Sequence, residues 1–385
     1  MRWRKPLLLF FLCLLWSLCL CTKVAAADTT TSGEEFPREE FHDFLESLPP
    51  ELVEHLPPEL FSNNQNDVAA GVEQMSRFSY LLSQALMALE DHLGACLQTL
   101  AILVGILLLS ALCRAFSVGG AHQDLQGAFS FCASLVLLSG LLSRGIQSLQ
   151  RVEAFFSSLT RITAALLPLM AVLYSLGGNL TAATATSAGL SVYMTLLEEW
   201  VGRTVLPFCA ICLLFSMLQS LHPSLRLGTL LGTVKKNYTT LLTFFMMLLL
   251  AMLSAQTVLG ARSDTLLMRS AKFAAGNLIP VVGGSVAELL RSVSATVGYL
   301  RGTVGLCAVL LLLLTLLPTV VELLLVRLTW QIGAALADLL GCDGEKKLME
   351  EFASLHGYLL AAVCICASVL VLSLGLLIHT VSAIG

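Results

Sequence analysis

Charge is what this sequence has least of. Only 12% of its 385 residues are Asp, Glu, Lys or Arg, whereas a soluble domain carries about 25%. Apolar side chains take the vacated places: 56% of residues are hydrophobic and the mean hydropathy is +0.83. A larger core cannot absorb that shift, so the composition excludes an ordinary soluble domain and puts the chain in the membrane class. Metal-ligand spacing is missing too. His42, His55, His92, His122, His222, His356 and His379 are scattered, and none has a second His or Cys at ligand spacing in a polar segment. There is no phosphate-binding loop, dinucleotide fingerprint, zinc-protease helix or serine elbow. The expectation is a protein that is not an enzyme, with no catalytic residues, no cofactor and no metal.

A disulfide framework is equally absent from the pattern. Of twelve cysteines, Cys13, Cys19 and Cys21 lie in the N-terminal apolar run, most others sit in hydrophobic stretches, and the polar segment after position 28 has none before Cys96. Paired cysteines in an aqueous oxidising compartment are what such a framework needs. Cys209-x-x-Cys212 has redox-motif spacing but stands inside the apolar Val205–Leu221 run. Small polarizable core residues are the better reading there.

What is present begins with Arg2, Arg4 and Lys5, then apolar Leu7–Leu20, then Val24-Ala25-Ala26-Ala27-Asp28. A positive start, a short apolar core and an Ala-x-Ala site make residues 1–27 a secretory signal peptide cleaved after Ala27, with an uncleaved anchor as the rival. Residues 28–93 follow as an acidic helical segment. Between Asp28 and Asp91 stand fourteen acidic residues against Arg38 and Arg77, a local balance of −12 in a chain whose net charge is only −4. That acidity suits an extracytoplasmic segment, because retained loops favour Lys and Arg. Leu48-Pro-Pro-Glu-Leu52 recurs as Leu56-Pro-Pro-Glu-Leu60. Each copy predicts a short amphipathic helix, since proline at the first helical turn lacks only a donor that would be orphaned anyway. Val68–Asp91 predicts a helix leading into the multi-span region, 94–385.

Uncharged runs long enough to cross about 30 Å of hydrocarbon are Gly94–Cys113, Leu125–Ser143, Val205–Leu221, Thr240–Gly260, Gly302–Val321 and Tyr358–Ser382. Ile162–Leu197 holds 36 uncharged residues, roughly 54 Å of helix, too long for one crossing. Turn chemistry at Gly177-Gly178-Asn179 predicts a helical hairpin there. Its second leg, Thr181–Leu197, is rich in small residues that suit helix–helix contact. The count is seven or eight spans. Ile146, Leu149, Val152, Phe156 and Leu159 make one amphipathic stripe between spans, and Val286, Leu289, Leu290, Val293, Val297 and Leu300 another. With the N-terminus outside, eight spans put Arg226, Lys235 and Lys236 inside but leave Arg144, Arg151 and Arg161 outside. Making Leu125–Ser143 re-entrant reverses the conflict, so both arrangements stay open. Glu322 and Arg327 close the run after Gly302 and are close enough in sequence to pair. Pro168, Pro207 and Pro318 mark expected kinks.

The least ordinary stretch is Ser270 to Ser285, where Pro280, Gly283 and Gly284 interrupt a basic, mildly apolar segment. Broken backbone at membrane depth lines cavities or passages, although a connector loop has the same composition. Lys272-Phe273, Asn277 and Ile279-Pro280-Val281-Val282-Gly283-Gly284 resemble the signature of the stage III sporulation protein AE family of endospore-forming bacteria. The signal-like start, the acidic segment, the span around Pro168 and the alternation of spans with amphipathic segments agree with it over essentially the whole chain.

The resemblance implies a multi-pass protein of the mother-cell membrane facing the forespore, part of the channel complex joining the two cells and supporting late forespore gene expression. It implies as partners the sibling membrane proteins of the same operon and a forespore-side protein. The fold class expected is all-α, a polytopic membrane helix bundle with amphipathic interfacial helices, embedded in lipid, with no nucleic-acid partner and a homo-oligomer as one possible state. The candidate functional segment is Lys272, Phe273, Asn277, Pro280, Gly283 and Gly284. The alternative is the permease subunit of a small-solute transporter driven by a separate ATPase. Internal repeats and midplane charges would favour it, and neither is convincing here.

Overall fold

The computed structural model describes residues 38–117 apart from 63, then 123–176 and 283–382, with scattered positions between 188 and 255. Among the described residues every regular element is helical. The acidic segment folds as α1 (Arg38–Glu46), α2 (Pro50–Val53), a 3₁₀ turn (Pro58–Phe61) and α3 (Gln65–Ser76). Four long helices follow: α4 (Phe78–Ser117), α5 (Gln123–Leu176), α6 (Gly283–Leu339) and α7 (Asp343–Ser382).

The proline repeat works as its spacing predicts. Pro49 and Pro57 stand before their helical turns at nearly the same backbone angles, φ −55° and −59° with ψ 134° at both. Pro50 and Pro58 then occupy the first helical turn, where no backbone donor is missed. Each Leu-Pro-Pro-Glu-Leu unit thereby turns both leucines inward: Leu48, Leu52, Leu56 and Leu60 are all buried. They join Phe41, Phe44 and Leu45 of α1 and Val68, Val72 and Met75 of α3. Gly71 lets α3 lie directly on the second unit, since a Cβ there would come within 3.2 Å of the Leu60 backbone nitrogen. The Tyr80 hydroxyl donates to the His55 carbonyl and ties the repeat to α4. This small core is continuous with that of the long helices, α1 resting on α5 and α3 on α6.

The long helices are longer than the apolar runs that announced them. They have 40, 54, 57 and 40 residues, so α5 and α6 extend roughly 80 Å, far beyond a 30 Å hydrocarbon layer. The 146–159 stripe is not a separate interfacial helix: it is the middle of α5 and joins Leu125–Ser143 to the run that begins at Ile162. The 283–301 stretch is likewise continuous with Gly302–Val321 in α6. Between Leu125 and Ile162, Gly127, Gly140 and Gly145 are the only glycines and there is no proline. Nothing local stops a helix whose stripe also finds a partner, and Val152, Phe156 and Leu159 are fully buried in the bundle.

Among the described residues, four helices contain stretches long and apolar enough to cross a membrane: Phe78–Leu112, Leu135–Leu173, Gly302–Leu339 and Asp343–Ser368. Two of the expected crossings therefore share one helix. Helix α5 reaches Leu176, next to the expected turn, but Gly177–Asn179 lie outside the described residues, as does most of the second leg. The runs Val205–Leu221 and Thr240–Gly260 fall in the sparsely described region. Helices α5 and α6 run through Pro168 and Pro318.

Candidate functional site

The tightest structural unit is the hairpin of α6 and α7. Its turn is set by Gly341, whose φ of +67° suits a residue without Cβ. The Cys342 amide donates to the Ala337 carbonyl at 2.8 Å and the Gly341 amide to Asp338 at 3.1 Å. Paired bonds of this kind satisfy carbonyls that a helix end leaves orphaned. Buried Cys342 sits at the turn, and its carbonyl accepts the first bond of α7, from the Lys346 amide at 2.9 Å. Lys346 Nζ reaches back to Asp338 Oδ1 at 2.7 Å and clamps the two helices together. Further along, Gly333 permits close approach, because a Cβ would meet Met349 Sδ at 2.9 Å.

One side of this hairpin opens into a groove of about 440 Å³. From α6 it is lined by Arg327, Gln331, Ala334, Ala335 and Asp338, and from α7 by Lys346, Glu350, Ala353, Ser354 and Gly357. Both sets follow helical spacing, so each is one stripe of its helix. The Arg327 guanidinium lies on Gly357, whose missing Cβ would stand 3.1 Å from Arg327 Cζ. Arg327 Nε is buried with no hydrogen-bond partner among the described residues.

Several other polar side chains inside the bundle are paired. Glu322 does not pair with Arg327: its carboxylate takes Arg151 Nε of α5 at 2.9 Å instead. Five residues on a helix turn through about 500°, so Glu322 and Arg327 project in different directions, one toward α5 and the other into the groove. Ser110 on α4 donates to Glu345 Oε1 at 2.8 Å, both side chains buried. His356 Nδ1 faces the Phe352 carbonyl at 2.9 Å and must donate to it, so the neutral ring accepts from the Ser148 hydroxyl through Nε2 at 3.1 Å. Lys235 meets Glu351 at 3.0 Å. Nearby, Phe208 and Tyr238 stack at 4.2 Å, with Tyr358 against both. These contacts knit α4, α5 and the 208–238 region onto α7.

Of the sequence-predicted segment, Lys272, Phe273, Asn277 and Pro280 lie outside the described residues. Gly283 and Gly284 are the first two residues of α6 and are helical. Cys212 is buried, while Cys209 lies outside the described residues. The groove and the Ser148–His356 and Ser110–Glu345 pairs were not singled out from sequence. The available signal was polar groups on the apolar stripe of an otherwise amphipathic helix.

Fold and site together define an all-α helix bundle, with four helices of membrane-crossing length and apolarity among the described residues. The profile of the family "Stage III sporulation protein AE" matches residues 62–381. The chain belongs to that family. It is similar to the stage III sporulation protein AE of Bacillus subtilis (strain 168), at 23% identity over 302 residues, covering 78% of this chain and 73% of that protein. No solved structure matches it.

Proposed function

We propose that this protein is a membrane subunit of the channel or secretion complex that connects mother cell and forespore during endospore formation, supporting late forespore gene expression. Membership of the stage III sporulation family over residues 62–381 carries this reading. The surface chemistry supports the membrane part of it. Helix α4 exposes Leu97, Ile102, Leu108, Leu109 and Leu112 in one apolar stretch, a surface that water disfavours and lipid tails accept. The role is structural, with no chemistry of its own: the chain frames or lines a passage, and the segment Lys272–Gly284 is its working surface. The partners are the other membrane proteins of the same operon and a forespore-side protein.

Affinity purification from sporulating cells, after mild crosslinking, tests the assembly. The tagged chain should bring down its operon siblings in stoichiometric amounts. Recovery with an ATPase subunit and none of the siblings would favour the permease reading instead.

A further inference from the structure

The groove between α6 and α7 has features that helix packing alone does not require. Its walls are alanines, a serine and a glycine, so the two helices leave a trough where larger side chains would have filled the space. At one end the two charges satisfy each other, Lys346 with Asp338 at 2.7 Å. At the other end Arg327 has no carboxylate within ion-pairing distance among the described residues, and its Nε is buried without a partner. Glu350 lines the same trough and makes no salt bridge among the described residues, although its charge also acts on Lys346 one turn earlier in α7. An unsatisfied buried donor is costly, and Gly357 holds this one in place by admitting the flat guanidinium.

Among the described residues the groove therefore offers a guanidinium with no carboxylate partner and, nearer the turn, a carboxylate that makes no salt bridge. Gly357, level with Arg327, and Glu350 are seven residues apart, about 10 Å along the helix, a gap that the two long side chains shorten. Position matters as well. Arg327 follows the uncharged stretch Gly302–Val321, and Glu350 precedes the uncharged stretch that begins at Phe352. If these stretches lie in hydrocarbon, the trough sits where lipid phosphates are found.

We propose that this groove binds an aminophosphate headgroup, with the phosphate on Arg327 and the ammonium toward Glu350. A guanidinium matches phosphate oxygens through paired donors, and the carboxylate selects an amine over a neutral alcohol. For a lipid ligand the proposal rests on the membrane reading above; free phosphoethanolamine offers the same chemistry from solution.

The test is binding to the full chain in a mild non-ionic detergent, followed by thermal shift and native mass spectrometry. The probes are dihexanoyl phosphatidylethanolamine, dihexanoyl phosphatidylglycerol and free phosphoethanolamine. Arg327→Gln should weaken both lipids at least tenfold. Glu350→Gln should weaken the ethanolamine lipid at least threefold and leave the glycerol lipid unchanged. Free phosphoethanolamine binding with the same two dependences supports the site with a soluble ligand. Wild-type affinity in Arg327→Gln overturns the proposal, as does equal binding of both lipids in wild type and Glu350→Gln. Circular dichroism and size exclusion check that variants fold. Should Arg327→Gln fail to fold, Gly357→Ala moves the guanidinium without removing a charge and must also weaken binding. Alkaline extraction of native membranes reports separately on the membrane reading, so loss of one leaves the other standing.

Discussion

Single side chains decide the joints of this molecule. Gly71 touches the Leu60 backbone so closely that Gly71→Val must push α3 off the proline repeat. Overpacking of this kind costs about 1–3 kcal/mol, and limited proteolysis should show the 38–76 module released first. Leu60→Ala, at a nearly fully buried position, should cost about 2–5 kcal/mol by the same readout. The Arg151–Glu322 pair predicts an asymmetry. The Arg151 side chain is 54% exposed and that of Glu322 13%. Arg151→Gln strands a nearly buried carboxylate, whereas Glu322→Gln leaves an arginine that water can still hydrate. Thermal unfolding in detergent should therefore rank Arg151→Gln as the more damaging, and a charge-swapped double variant should recover part of the loss. Equal losses would mean that the pair contributes little.

At the scale of elements, helix identity was legible in the sequence and helix length was not. The proline repeat, the apolar runs at 94, 302 and 358, and both amphipathic stripes all emerge as helix. Boundaries failed where the argument relied on loss of apolarity, as between Ser143 and Ile162. A charged face ends a membrane span but not a helix, and backbone hydrogen bonds continue through Arg144, Arg151 and Arg161. The pairing of Glu322 follows the same logic. Sequence proximity suggested Arg327, while helical phase and a neighbouring helix supplied Arg151. The hairpin turn, by contrast, follows from one glycine. Gly341→Ala places a Cβ in the left-handed region and should cost about 1–2 kcal/mol, visible as a lower unfolding midpoint. Gly283 and Gly284 open α6 beside the Pro280 segment. Leucine at either should still allow the protein to accumulate in membranes yet abolish spore formation; normal sporulation in both variants would make the segment a passive connector.

The whole molecule joins an acidic proline-repeat module to a bundle in which α5, α6 and α7 extend well past their apolar stretches. Such lengths suit helices that continue beyond a bilayer's hydrocarbon layer. Composition alone indicated the membrane class. The sporulation family was legible only through the signature at Lys272–Gly284, because nothing in hydropathy or periodicity encodes it. The most direct measurement is expression of a late forespore reporter in a strain lacking this gene, complemented from a promoter active only in the mother cell. The account predicts that the reporter stays silent after engulfment in the deletion strain and that mother-cell expression restores it. Full reporter activity without the protein, or rescue from the forespore alone, would contradict it.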